Sequence, residues 1–435
     1  MHDNVVRRIL DEEGFVPGAL YNAEIARGDG TGELEKTVQR LVMTETTEIA
    51  ATDIRDVVAG ETVDIADSQD GSVMLAGQRD CEVTISESQT GSVMLGAGVA
   101  SNSGVMGQLV FNQRNFNIFD TPESFGEFIT GKAFKGAGQH FRASFSPGTQ
   151  QSSYSVSFTE PYLYGKPVSL DTALSGFERF QEANDEKRTK FYAGIEKRYK
   201  NDWRRGTSFR LENVNISDID FDAPKEIKEV RGDNQLLGVR LYINKRTTNS
   251  RFLPSKGYNF DAGYEQVAGD YTFGVANATQ RWYKTLYEDL GGRKTVLETK
   301  VRGAAIIGSA PMFEKFYGGG TGSIRGFDYR GVSTRGLPTN STSTIKDDPI
   351  GSDWIITANA EVAVPLTSEA LSWLFFIDTG VIDTGGPRAS IGTGIQILIP
   401  QWFGPVPMRF EIATPIAKDE ADDTRVFSFS VGALF

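Results

Sequence analysis

The feature that most constrains this chain is an alternation of apolar and polar residues that runs from residue 92 to the C-terminus. Side chains of a β-strand point alternately to opposite faces, so a period of two indicates strands. The final residues divide in this way between two faces: Phe427, Phe429, Val431, Ala433 and Phe435 on one, and Ser428, Ser430 and Gly432 on the other. About 16 such segments can be counted, eleven in residues 92–307 and five in residues 354–435. The fold is therefore expected to be mainly β.

Charges on the inner face of these segments distinguish two β architectures. Arg240, Glu298 and Arg302 all have the inner parity of their segments. The core of a soluble β-sandwich would have to bury such charges at a large cost in free energy, whereas the water-filled lumen of a barrel tolerates them. We therefore expect residues 92–435 to form a 16-stranded antiparallel transmembrane β-barrel. The alternative is a pair of β-sandwich domains.

Composition argues against several classes of function. A formal net charge of −12 speaks against nucleic acid as a partner, because phosphate binding needs clustered Lys and Arg. The single cysteine, Cys81, excludes an internal disulfide, and two histidines, His2 and His140, argue against a His-based metal or catalytic site. No run of 18 apolar residues is present for a transmembrane helix. We expect no metal, no cofactor and no catalytic residue.

Residues 1–88 differ from the rest and are expected to form a small α+β module. Asp3 can cap a first helix. Two apolar groups follow, the first at the spacing of a helix and the second at that of a strand: Leu34, Val38, Leu41 and Val42, and then Cys81, Val83 and Ile85. The module is expected to lack its first strand.

The barrel pattern is interrupted at residues 309–353 by a loop without strand alternation. A loop of this length is usually functional or disordered. It holds three consecutive glycines, residues 318–320, and then Ile324, Arg325, Gly326 and Phe327. The glycines fit neither a P-loop, which needs a following lysine, nor a G-x-G-x-x-G fingerprint, because Arg325 stands where the third glycine belongs. The alternative to a functional loop is a solvated glycine-rich surface loop.

Two carboxylates on the strands after the loop have the inner parity. In residues 354–364 this parity includes Glu361, and in residues 371–378 it includes Asp378. A guanidinium is always charged and offers five donors in a rigid fork, so a sheltered Arg325 needs carboxylates to meet it. If the loop folds into the lumen, Arg325 is expected to pair with Glu361, Asp378 or both. The alternative is that both carboxylates are simply hydrated in the lumen.

Three motifs resemble those of one known family, the BamA-type outer-membrane assembly factors of the POTRA-plus-barrel superfamily. Residues 324–327 resemble its V/I-R-G-F loop motif. Residues 375–380, Phe-Phe-Ile-Asp-Thr-Gly, are similar to its F-x-x-D-x-G strand motif. The last nine residues, with Phe427, Phe429, Gly432 and the terminal Phe435, match its C-terminal signal strand. The resemblance covers nearly the whole chain.

The resemblance implies a bacterial outer-membrane barrel with the loop inside it and Arg325 held by strand carboxylates. It implies a weak seam between the first and last strands, where Gly96, Gly98 and Gly432 would weaken pairing. It also implies that unfolded client barrel proteins are folded into the lipid through this seam. Residues 1–88 are then a partial POTRA-like module in the periplasm, and accessory periplasmic lipoproteins and chaperones are expected partners.

Three other functions are open to such a chain. A polypeptide secretion transporter of the same superfamily would share every motif above. A passive porin would need neither the loop motif nor a periplasmic module. A barrel enzyme would need a nucleophile and a base near the lipid interface, and His140 has the inner parity. The protein is expected not to be an enzyme.

Overall fold

A computed structural model of the chain describes residues 42–43, 83–84, 91–122, 124, 133–250, 253–339, 348–368, 370–399 and 407–432. The chain divides into two compact units: residues 1–92 with 113–139, and residues 93–112 with 140–435. In the ranges just given, no helix is long and apolar enough to cross a membrane. The loop motif and the strands that surround it belong to the second unit.

In the part of the chain that the structure describes, sixteen strands form one closed barrel and two short strands form a separate sheet. The two-stranded sheet consists of β1 (Val42–Met43) and β2 (Val83–Thr84). The barrel strands before the long loop are β3 (Gly91–Ala100), β4 (Gly104–Phe116), β5 (Gln139–Ser146), β6 (Gln151–Glu160), β7 (Val168–Phe180), β8 (Asp185–Arg198), β9 (Trp203–Ser217), β10 (Gly232–Arg246), β11 (Gly257–Gly269), β12 (Phe273–Glu288) and β13 (Lys294–Gly308). Those after it are β14 (Trp354–Ser368), β15 (Leu371–Ile382), β16 (Arg388–Ile397), β17 (Met408–Ala417) and β18 (Phe427–Gly432).

The predicted 16-stranded antiparallel barrel is thus confirmed, with eleven strands before the loop and five after it. The helical elements of the described residues are short: α1 (Lys225–Glu229) and two 3-10 turns, Leu163–Gly165 and Met312–Glu314. Each barrel strand pairs with its neighbours in the sequence, and β18 closes the ring on β3.

The alternation in the sequence separates a lipid-facing wall from the lumen. Along β15, Trp373, Phe375 and Ile377 are exposed on the outside of the barrel. Leu374, Phe376 and Asp378 are buried between them on the inside. Exposed apolar side chains on one parity are what a strand facing lipid requires. The same parity places Glu361 of β14 and Asp378 of β15 in the lumen.

Buried apolar residues form two clusters inside the barrel. One contains residues of the loop and the adjoining wall: Ala304, Ile324, Phe327, Val332, Ile355 and Ile382. The other includes Met312 and Phe313 of the loop, Ile227 of α1 and Phe273 of β12. Ile324, Phe327 and Val332 have no exposed surface. Burial of these side chains fixes residues 309–339 of the loop against the inner wall.

The prediction that Val42 belongs to a helix is wrong. Val42, expected at the end of a helix, lies in β1, where it faces Thr84 of β2. Leu41, Val42 and Met43 are consecutive apolar residues, and so short a run fits a helix face or a strand equally well. The predicted strand around Val83 does include Val83 and Thr84. The other predictions for this module lie outside the described residues.

Candidate functional site

Glycines in left-handed conformations let the loop approach the wall closely. Gly319, Gly320 and Gly326 have φ angles of +92°, +83° and +88°, which side-chain-bearing residues rarely adopt. A Cβ atom on Gly326 would lie 3.3 Å from the Cβ atoms of both Ser390 and Ala413. The tight turn therefore presses the loop motif against β16 and β17 and presents Arg325 to the barrel wall.

Arg325 meets Asp378 through three donors. Its Nε donates to Oδ2 of Asp378 at 2.7 Å, and its Nη2 donates to Oδ1 at 2.8 Å. The backbone N–H of Arg325 also donates to Oδ2, at 3.0 Å. Such a two-pronged pairing of guanidinium and carboxylate is both strong and geometrically specific. The structure therefore brings together the arginine and one of the two carboxylates singled out in the sequence.

The second predicted carboxylate, Glu361, is also bonded to Arg325, which donates to it from Nη1. The same Nη1 donates to Oε1 of Glu411 on β17 at 3.0 Å, a contact that the sequence analysis missed. Arg409 joins the group by donating to both Glu361 and Glu411. Glu411 alternates with outward Phe410 and Ile412, so the parity argument used for Asp378 would have found it. We call these five residues the arginine cluster: Arg325, Glu361, Asp378, Arg409 and Glu411.

The arginine cluster is sheltered from water. The side chain of Asp378 has no exposed surface, and that of Arg325 is 8% exposed. Burial lowers the pKa of Arg325, but Asp378, Glu361 and Glu411 outweigh it and hold the pKa above its ordinary value. The guanidinium also stacks on Phe376, with 3.4 Å from Cζ to the ring centre. Arg325 is therefore charged and bonded to three carboxylates, and these bonds fix the loop to the barrel wall.

A second ionic contact holds the beginning of the loop. Glu314 accepts hydrogen bonds from Arg188 at 2.7 Å and from Arg210 at 2.8 Å. Burial raises the pKa of Glu314, but attraction to Arg210 and Arg188 outweighs it and holds the pKa below its usual range. The loop is thus fixed to β8 and β9 near its start and to β14, β15 and β17 at Arg325.

The turn after Arg325 is bonded to the connection between β17 and β18. The N–H of Asp328 donates to the carbonyl oxygen of Asp423 at 3.0 Å. The N–H of Arg425 donates to the carbonyl oxygen of Gly326, also at 3.0 Å. The N–H of Asp423 returns a bond to the carbonyl oxygen of Gly331 at 3.1 Å. The loop is therefore continuous, through backbone hydrogen bonds, with the segment that leads into the last strand.

The seam joins the last barrel strand, β18, to the first, β3. Three facing pairs lie in the described residues: Ser430 with Ala100, Val431 with Val99, and Gly432 with Gly98. The position opposite Gly96 in this register is residue 434, and both it and Phe435 lie outside the described residues. Phe427 and Phe429 lie in β18 with their rings stacked at 5.8 Å. Two of the predicted seam glycines, Gly98 and Gly432, thus face each other.

A family model described as the Omp85 superfamily domain matches residues 134–435. This chain belongs to the Omp85 superfamily. Membership confirms the resemblance seen in the loop and strand motifs, and the Omp85 barrel lies in the outer membrane as predicted.

Two curated relatives support the same assignment. The chain is 29% identical over 250 residues to an outer membrane protein assembly factor BamA from Nitratidesulfovibrio vulgaris, covering 53% of this chain and 30% of the relative. It is 23% identical over 310 residues to a protein of that name from Neorickettsia risticii, covering 65% of this chain and 39% of the relative. The chain therefore matches well under half the length of either relative.

Solved structures show a similar fold. BamA from Haemophilus ducreyi lacking POTRA domains 1–3 has a TM-score of 0.70 and 17% identity, covering 99% of this chain and 81% of that structure. CdiB from Acinetobacter baumannii has a TM-score of 0.57 and 13% identity, covering 91% of this chain and 66% of that structure.

Proposed function

We propose that this chain is the barrel part of an outer-membrane protein assembly factor that folds and inserts client barrel proteins through the seam between β3 and β18. The observation that carries the proposal is the seam itself. In the register that closes the barrel, Gly432 of β18 faces Gly98 of β3. Glycine weakens a strand because it has no side chain to pack, so a pair of facing glycines favours a weak seam.

A seam weakened by glycines would supply what the proposed activity needs. A closed barrel has no free edge, whereas an unfolded client strand must find one in order to pair its backbone groups. Opening between β3 and β18 would expose two strand edges. A client strand then adds to an edge by β-augmentation, with main-chain hydrogen bonds supplying the affinity. No bond is made or broken covalently, so the proposed activity is not enzymatic and needs no cofactor.

The names of the curated relatives point to the same activity. Under this proposal the partners are unfolded client barrel proteins and outer-membrane lipid, together with accessory periplasmic lipoproteins and chaperones. We further propose that residues 1–88 form a POTRA-like periplasmic module that receives these partners, and that residues 92–435, including the lumenal loop 309–353, carry out insertion.

A disulfide across the seam tests the proposal. The N–H of Ser101 donates to the carbonyl oxygen of Phe429, which makes the adjacent pair, Ala100 and Ser430, a non-hydrogen-bonded pair with close side chains. We would introduce Ala100→Cys with Ser430→Cys in a Cys81→Ser background. The matched control is Ser144→Cys with Ser155→Cys, a facing pair on β5 and β6 whose hydroxyls lie 2.7 Å apart.

Each variant would be reconstituted into lipid vesicles and mixed with a small urea-unfolded outer-membrane barrel protein. Client folding would be followed by the shift in gel mobility between folded and heated samples. We expect the oxidised seam variant to lose acceleration of client folding and to regain it on reduction, while the control keeps it in both states. Equal activity of the oxidised seam variant and the control would refute the proposal. Open-pore conductance without client folding would identify a passive porin, and translocation of a polypeptide without client folding would identify a secretion transporter.

A further inference from the structure

Strand register places a row of polar side chains across the lumenal wall. In the pairing of β10 to β14, each of the following residues faces the next: Arg246, Asn259, Arg281, Lys300 and Asn359. Arg302 lies two residues beyond Lys300 on β13 and so shares its face, about 7 Å away along the strand. Three cations, Arg281, Lys300 and Arg302, therefore meet on the inner face of β12 and β13.

These three cations differ from the lumenal arginines described above in their ion pairs. Arg188, Arg210 and Arg325 each lie within 4.0 Å of two or more carboxylates. Among the described residues, no ion pair of this kind involves Arg281, Lys300 or Arg302. Like charges directly opposite each other destabilise a pair of strands, and Arg281 faces Lys300. This part of the wall therefore favours an additional negative charge.

Nearby carboxylates compensate these cations only in part. Glu298 lies on β13, on the same inner face as Lys300. It faces Tyr283, whose hydroxyl group donates to it at 3.4 Å. The arginine cluster contains one carboxylate more than it has arginines, which offsets one further positive charge. Lys300 itself donates to the carbonyl oxygen of Gly322 in the loop at 3.0 Å. One of the three positive charges remains uncompensated, in a chain whose overall charge is −12.

A cavity of about 230 Å³ lies beside these cations, between the wall and residues 321–323 of the loop. Its lining includes four cations, two carboxylates and two uncharged polar side chains: Arg281, Lys300, Arg325 and Arg409, Glu298 and Glu361, and Ser323 and Asn359. Ser323 Oγ and Asn359 Oδ1 are buried without a hydrogen-bond partner among the residues described. Buried polar atoms are nearly always hydrogen-bonded, so such atoms beside a cavity indicate a bound species. The cavity exceeds the roughly 30 Å³ that one water molecule occupies.

We propose that this cavity binds a phosphate-type oxyanion, either hydrogen phosphate or the phosphate group of a monoester. Its charge would be met by Lys300 and Arg281, which line the cavity, and at longer range by Arg302 on the same face of β13. The hydroxyl of Ser323 donates to one phosphate oxygen, and the amide oxygen of Asn359 accepts from the P–OH group. An anion with four oxygens satisfies donors on the wall and the loop together, whereas a carboxylate has two. Binding would join β13 to residues 321–323 and hold the loop in its lumenal position.

Binding would be measured on the full-length chain purified in detergent, by calorimetric titration with sodium phosphate against sodium chloride at equal ionic strength. The test variant is Lys300→Gln with Arg302→Gln. The matched control is Arg240→Gln, which removes a lumenal cation that lies 3.4 Å from Asp261. Folding of each variant would be verified by heat-modifiable gel mobility. We expect saturable phosphate binding in the parent and control, and at least tenfold weaker binding in the double variant.

Protease protection of the loop supplies a second readout that needs no variant. Phosphate, but not chloride, is expected to slow cleavage of the loop in the parent protein. Sodium glycerol 3-phosphate would be titrated in parallel: tighter binding than phosphate indicates a monoester ligand such as a lipid headgroup, and weaker binding indicates the free ion. No phosphate-specific heat or protection in the parent, or equal binding by the double variant, would overturn the proposal.

Discussion

Arg425 donates from Nη1 to the backbone carbonyl oxygen of Ser101 at 2.6 Å. Ser101 directly follows the first barrel strand, β3, and Arg425 lies just before the last, β18. The Nη2 of Arg425 also donates to Asp328 of the loop at 3.0 Å. One guanidinium therefore links the two sides of the seam to the turn that follows Arg325.

Removing this link is expected to loosen the seam. Arg425→Gln would lose charge-assisted hydrogen bonds that are worth about 1.5–3 kcal/mol when buried. The side chain of Arg425 is 34% exposed, so solvent screening should reduce the effect to about 1 kcal/mol. We expect faster hydrogen exchange in β3 and β18 and unchanged exchange in β9 and β10. Arg204→Gln, which removes an ion pair between Arg204 of β9 and Glu196 of β8, is the control. Unchanged exchange at the seam would show that Arg425 does not hold it.

Arg325→Ala should release the loop. Removing one partner of a buried ion pair costs about 3–5 kcal/mol because the remaining charges are left unpaired, and water in the lumen should reduce this. Limited proteolysis should then cleave residues 309–339 faster than in the parent. Arg325→Lys should restore little protection, because an ammonium group cannot reproduce the paired donors that meet Asp378. Arg293→Ala, a change in the turn between β12 and β13, is the control. Equal protection of the loop in the two variants would contradict the prediction.

The carboxylates of the arginine cluster should differ in importance. Asp378 receives three hydrogen bonds from Arg325, whereas Glu411 receives one from it. We expect Asp378→Asn to cost several kcal/mol of barrel stability and Glu411→Gln about 1 kcal/mol or less. The temperature at which the folded gel band disappears would give the order, and an equal loss in both variants would contradict it.

Much of this architecture could be predicted because lumenal and lipid-facing residues alternate along each strand of a barrel. Alternation placed Glu361 and Asp378 in the lumen, and a lone arginine in a glycine-rich loop indicated what they would meet. Glu411 also has the inner parity. Because Arg409 lies two residues away on the same face and could pair with it, no sequence pattern indicated that Arg325 would meet three carboxylates. Val42 was misassigned because three apolar residues are too few to define a period.

Other contacts depend on relationships that no local pattern contains. The pairing of Gly432 with Gly98 follows from how the whole ring closes, since each strand's register depends on all the others. The bond from Arg425 to Ser101 joins residues at opposite ends of the barrel sequence. The row from Arg246 to Asn359 emerges only once the registers of β10 to β14 are known. These are the contacts on which the seam and the lumenal cavity depend.

Gly96→Ala should tighten the first strand and slow opening of the seam. Gly96 does not have a left-handed φ angle, and a Cβ there would meet only the flexible end of Gln108, at 4.0 Å. Replacing glycine by alanine at a compatible position stabilises by about 0.4–1 kcal/mol, chiefly by restricting the unfolded chain.

Gly257→Ala is the opposite control: its φ is +100°, and the new Cβ would lie 2.3 Å from the carbonyl oxygen of Thr247. We expect Gly96→Ala to raise barrel stability, to slow hydrogen exchange in β3 and to reduce client folding in vesicles, whereas Gly257→Ala lowers stability. A seam that must open to act predicts lower activity in the more stable variant. If Gly96→Ala is more stable and folds clients as fast as the parent, flexibility at Gly96 does not limit the proposed activity.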